Sequence, residues 1–109
     1  GTRCTRPPAT PIELADATTR AIYDDDAVRA TRDFDPRLRA TVTRQSVTSV
    51  SRLMRRYGAY LGVTEAAEVA KGVRYDFEAQ FTHGSMLVQM RLAPGAQRIV
   101  AYRVIPNES

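Results

Sequence analysis

Val73-Arg74-Tyr75-Asp76-Phe77-Glu78-Ala79-Gln80-Phe81 alternates apolar and polar residues without a break. A period of two marks a half-buried strand, because successive side chains leave the backbone on opposite sides. Val73, Tyr75, Phe77, Ala79 and Phe81 therefore share one face, and Arg74, Asp76, Glu78 and Gln80 the other. His83-Gly84 then stands where a two-residue hairpin loop belongs. In the next run Met86, Val88, Met90 and Leu92 line one face against Leu87, Gln89 and Arg91. Ala93 to Arg98, containing Pro94-Gly95, makes a second connection, and a third strand runs from Ile99 until Pro106 stops it. There Val100, Tyr102 and Val104 oppose Ile99, Ala101, Arg103 and Ile105. Both sides of this last strand are fairly apolar, which suits a central or interface position.

The chain upstream reads as helix built to cover one face of these strands. Thr10-Pro11-Ile12-Glu13 is a helix start, with Thr10 as N-cap, Pro11 at the first helical position and Glu13 completing a capping box. Ile12, Ala15, Thr19, Ile22 and Tyr23 follow as an apolar stripe. Asp24-Asp25-Asp26 interrupts that helix. Three consecutive carboxylates lack the spaced ligands and glycine turn of a hard-cation loop, so one of them reads instead as the cap of a short helix, Ala27 to Arg32. In Phe34-Asp35-Pro36-Arg37-Leu38, Asp35 and Pro36 repeat the cap-then-proline pattern, with Phe34 and Leu38 placed as a hydrophobic staple.

Thr41 or Thr43 opens the longest predicted helix, reaching to about Tyr60. Val47, Val50, Met54, Tyr57 and Leu61 fall on one arc, and Arg44, Thr48, Ser51, Arg52 and Arg55 on the other. Gly58 and Gly62 lie where glycine ends a helix. Val63 to Lys71 reads as strand with a bend at Ala66-Ala67, and Gly72 as a tight turn. The fold class is α+β: two or three N-terminal helices, one of them long, packed on an antiparallel sheet of three to four strands. Residues 1–9, with two adjacent prolines, read as a disordered tail or tether, and residues 10–109 as a single domain.

Composition narrows the function classes. There is no Trp and there are 3 Phe and 5 Tyr, so the core is mostly aliphatic. No run of eighteen apolar residues is available to span a bilayer. Sixteen basic against twelve acidic groups give a net charge of +4, and all the basic groups except Lys71 are Arg. They are spread along the chain, which makes nucleic acid an unfavoured partner. The arc of Arg44, Arg52 and Arg55 lacks the interleaved aromatics of a nucleic-acid stripe and reads as a solvated face. Cys4 is the single cysteine and supports neither an intramolecular disulfide nor a cysteine metal site. An exposed thiol in a tail is one reading of it, and a lipid-modified cysteine the other.

The order of landmarks carries a resemblance: Phe34-Asp35-Pro36-Arg37-Leu38, then Tyr57-Gly58, then Ile99 through Pro106. Over about residues 12–106 the chain resembles a small bacterial family of unknown function in the nuclear-transport-factor-2-like, or cystatin-like, superfamily. Tyr102 departs from that pattern, where a small or aliphatic residue is commoner. The resemblance implies a helical layer packed into a curved sheet, a pocket between them, and dimerisation through the sheet. It also implies an extracytoplasmic chain, secreted or attached to the envelope, touching the membrane only through a lipid tether at Cys4.

Enzymes of that superfamily set an Asp or His base and often a Tyr in the helix–sheet pocket, where desolvation raises a carboxylate's basicity and a phenol stabilises an oxyanion. Here the only His, His83, belongs to a hairpin tip, and Asp76 and Glu78 point away from the aromatic face. No catalytic set, cofactor motif or metal-ligand pattern is present. Tyr57, Tyr75, Phe77, Met90 and Tyr102 are the candidate pocket-lining residues, with plain core as the competing reading. The expected function is a non-catalytic binding or interaction module of the bacterial cell envelope, with an unknown protein or a small hydrophobic ligand as partner. The alternative is a small-ligand carrier or an isomerase- or dehydratase-like enzyme using the same pocket.

Overall fold

Local capping sets the helical half of the chain. The computed structural model describes residues 10–70, 74–94 and 98–107. Readings that fall on the tail 1–9 with Cys4, on the Gly72 turn with Lys71 and Val73, and on Gly95 lie outside those residues. Helix α1 (Pro11–Tyr23) begins with the capping box read from sequence: Glu13 N–H donates to Thr10 Oγ1, and Thr10 N–H donates to Glu13 Oε1 at 2.8 Å. Asp26 caps α2 (Ala27–Ala30), Asp35 caps α3 (Pro36–Thr41), and Thr43 caps α4 (Arg44–Arg55). Each cap side chain accepts a backbone N–H that the first turn would otherwise leave unpaired.

Helix α4 ends at Arg55, short of the expected Tyr60, so α1 and α4 are nearly equal in length. Gly58 explains the early stop. Its φ of +95° turns the chain into β1 (Tyr60–Ala70), where Tyr60 already pairs with Phe81. Leu61, expected on the buried helical arc, consequently sits on a strand and is 61% exposed.

β1, β2 (Arg74–Phe81), β3 (Gly84–Leu92) and β4 (Ile99–Pro106) form one antiparallel sheet in sequence order. In β2 and β3 the alternation holds: Phe77, Ala79, Phe81, Met86, Val88, Met90 and Leu92 are all buried on the face toward the helices. Each large apolar side chain buried there is worth about 1.5–3 kcal/mol, as an upper estimate. The Phe81–Gly84 pair leaves Thr82-His83 as the hairpin loop, one residue earlier than expected.

Strand β4 corrects a second expectation. Of the central and interface positions expected for it, the sheet order excludes the central one, because β4 is an edge strand. Leu92 pairs with Ile99 and Arg91 with Ala101, so Val100 is an extra residue in a bulge. The bulge resolves a conflict in the sequence. Strict alternation puts Ile99 opposite Tyr102 and Val104, yet Ile99 is fully buried while Tyr102 and Val104 also pack against the core. The edge is partly covered at this point. Ile99 N–H donates to Asp33 O and Asp35 N–H to Ile99 O, both at 2.8 Å, making a parallel bridge with Phe34.

Helix α1 packs on β1 and β2, α4 packs on α1, and α3 lies beside β4. Ser51 was expected on the solvated arc of α4 but is buried. Its Oγ donates to Tyr23 O at 2.9 Å, and Arg55 Nη2 donates to the same carbonyl at 2.8 Å. Two side chains of α4 thereby satisfy a carbonyl in the last turn of α1 that has no intrahelical donor.

Candidate functional site

The ends of all four helices and strand β4 enclose an apolar cleft of about 220 Å3. Ile22 comes from the last turn of α1 and Ala30 from the end of α2. Phe34, just before the Asp35 cap, and Leu38, in the first turn of α3, both line the cleft. Their positions follow from the Asp35 cap, whose Oδ1 accepts Arg37 N–H at 2.8 Å, and from Pro36 beside it. The chain leaves α3 at Val42 and re-enters helix after Thr43, which brings Val42, Val47 and Val50 to the same cleft. Tyr102 and Val104 of β4 form the floor, with the Phe34 and Tyr102 rings 6.1 Å apart.

The polar groups at this cleft are already engaged. Thr31 Oγ1 donates to Ala27 O at 2.9 Å, Thr41 Oγ1 to Leu38 O at 2.7 Å, and Ser46 Oγ to Thr43 O at 2.7 Å. These are local hydroxyl-to-carbonyl bonds of the kind that Ser and Thr make at helix ends. The Tyr102 hydroxyl is bonded to Thr19 Oγ1 at 2.6 Å. Burial pushes the Tyr102 phenol well above the ordinary tyrosine value, and the Thr19 bond offsets part of that rise. The phenol is therefore neutral near pH 7. No carboxylate or imidazole is among the described residues lining the cleft.

Of the five pocket residues expected from sequence, only Tyr102 lines this cleft. Tyr75, Met90 and Tyr102 form a direct cross-strand row over β2, β3 and β4. Phe77 and Met90 are buried in the core, and Tyr75 stacks on Phe77 with ring centroids 6.1 Å apart. Tyr57 lies apart from them, against Phe81. Most of the cleft comes instead from the helix-end segments. The apolar stripes of the helices mark Ile22, Val47 and Val50 as inward-facing, and the Phe34-to-Leu38 motif marks the start of α3, but nothing in a linear reading brings them to Val104.

The other singled-out groups are engaged elsewhere or exposed. Asp24 and Asp26 lie 3.6 and 3.8 Å from Arg29, and Asp25 accepts from Thr48 Oγ1 at 2.7 Å. Asp25 itself adopts a left-handed φ of 58°, a conformation that Asp tolerates better than most residues. His83 is exposed in the β2–β3 turn, its N–H donating to Tyr57 O. Arg44 and Arg52 are exposed, whereas the Arg55 guanidinium lies over the Tyr23 ring at 4.4 Å. Asp76 and Glu78 stand on the sheet face turned away from the helices, as their alternation with Phe77 requires.

Comparison of the chain with protein-family models, with curated proteins and with solved structures returns no significant match.

Proposed function

We propose that this chain is a non-catalytic binding domain whose cleft beside β4 takes a small, uncharged apolar ligand. The observation that carries the reading is the state of the cleft's hydroxyls. Thr31, Thr41, Ser46 and Tyr102 are each bonded within the protein, so the cleft offers hydrocarbon and few unmade hydrogen bonds. An apolar site of this kind favours apolar occupants, because an entering polar group would lose its bonds to water. Size limits the ligand. Apolar cavities of about 150 Å3 admit benzene, so about 220 Å3 suits a group somewhat larger than one ring.

The isomerase- or dehydratase-like alternative has less support, since it needs a base at the pocket and Tyr102 is a neutral phenol. The family resemblance supports an extracytoplasmic setting; fractionation of the full-length protein tests that part separately.

The direct test is a methyl-resolved NMR titration with benzene and indole. The expected result is saturable shifts at Val47, Val50 and Val104 with a rise in thermal midpoint, as mass action on the folded state requires. Val50→Phe, which fills the cleft, is expected to abolish these shifts while the protein stays folded. Absence of saturable shifts at those methyls, or their survival in folded Val50→Phe, overturns the proposal.

A further inference from the structure

The sheet face turned away from the helices carries a second feature, independent of the cleft. Arg74 of β2 pairs directly with Arg91 of β3, and Arg91 with Ala101 of β4. In the next row on the same face, Asp76, Gln89 and Arg103 stand in line. Directly opposed side chains start about 5 Å apart and diagonal ones about 7–8 Å apart. Arg74, Arg91 and Arg103 therefore leave one sheet face from two neighbouring rows, around Ala101 and Gln89. Together with Met90 these residues border a concavity of about 280 Å3, which the small Ala101 side chain helps to leave open.

Like charges directly across a sheet destabilise it. The ion pairs among the described residues engage Arg20 and Arg29, and none engages Arg74, Arg91 or Arg103. Asp76, the carboxylate beside them on this face, pairs with none of the three, and its Oδ1 is shielded without a hydrogen-bond partner. We infer that Arg74, Arg91 and Arg103 form a binding site for a compact phosphate-bearing anion, of the phosphate monoester or diphosphate class. One arginine fork satisfies a planar carboxylate. Forks arriving from three strands suit a tetrahedral group whose oxygens point several ways. The compact concavity fits one or two such groups.

The test is an amide NMR titration of the whole chain with inorganic pyrophosphate at low ionic strength, with acetate and sulfate in parallel. The inference expects saturable shifts at Gln89, Arg91 and Ala101. Arg91→Gln is expected to weaken binding at least about tenfold, the loss of a charge-assisted bidentate contact. Arg52→Gln removes one charge from exposed α4 and is expected to stay within about twofold of the parent. Without ligand, Arg91→Gln is expected to keep or raise the thermal midpoint, since it relieves the Arg74–Arg91 repulsion. Three results each overturn the site: non-saturating shifts, equal weakening by Arg52→Gln, or acetate binding as tightly as pyrophosphate.

Discussion

Thr19 Oγ1 and the Tyr102 hydroxyl lie 2.6 Å apart, tying the middle of α1 to edge strand β4 across 83 residues of sequence. Thr19 is fully buried, so its hydroxyl has no access to water. The bond holds the Tyr102 ring as the floor of the cleft and occupies its one polar atom.

Tyr102→Phe removes that partner and leaves a buried hydroxyl to find another. The expected loss of stability is about 1–3 kcal/mol. Thr19→Val removes the other side and is expected to be destabilising as well. The double variant, with both polar groups gone, is expected to cost less than the sum of the two. Urea denaturation of the four proteins measures the coupling, and strict additivity would contradict the contact.

Two phenols make the protein sensitive to alkali. Tyr60 is raised chiefly by burial and further by its hydrogen bond to the Asp16 carboxylate, made at 2.6 Å; Tyr102 is raised by burial. In the unfolded chain both ionise near the ordinary value of about 10. Above that pH the folded state holds protons that the unfolded state has lost, so stability falls as pH rises. The contribution is complete below about pH 10 and declines above it, by up to about 1.4 kcal/mol per pH unit for each phenol. Denaturation midpoints at about pH 9 and about pH 11 read the slope, and Tyr60→Phe is expected to flatten it.

Gly58 joins α4 to β1 where a side chain has no room. A Cβ there would run into Thr82 Oγ1 and come within 2.8 Å of the His83 ring, on a backbone at φ +95°. The hydroxyl it would strike is the acceptor for Ala59 N–H. Gly58→Ala is expected to destabilise by about 1–3 kcal/mol, with amide exchange faster in Thr82 and His83 than in the distant β3–β4 ladder.

Ser51 and Arg52 are neighbours on α4 with opposite roles. Ser51→Ala removes a buried bond to Tyr23 O and is expected to cost about 1 kcal/mol. Arg52→Ala, at an exposed position, is expected to change stability by no more than about 0.5 kcal/mol. Thermal midpoints of the two variants separate the roles, and similar losses in both would place Ser51 on the solvated face.

Periodicity and capping are local properties, and what depends on them is legible along the chain. Thr10, Asp35 and Pro36 start helices because they act on backbone groups one to three residues away. Phe77, Met86, Val88 and Met90 face inward because the pleat alternates whatever lies around it. Tertiary contacts settle the places where distant segments compete for one backbone. Gly58 ends α4 early because β1 pairs with β2 from Tyr60 onward. Val100 bulges so that Ile99 reaches the core on the same side as Tyr102. Ser51 is buried because α1 presents an unpaired carbonyl beside it. The apolar cleft depends on four helix ends meeting β4, and the arginine cluster on the register of three strands. Neither the meeting nor the register is written in any one segment, because each is set by which packing of distant segments buries the most apolar surface.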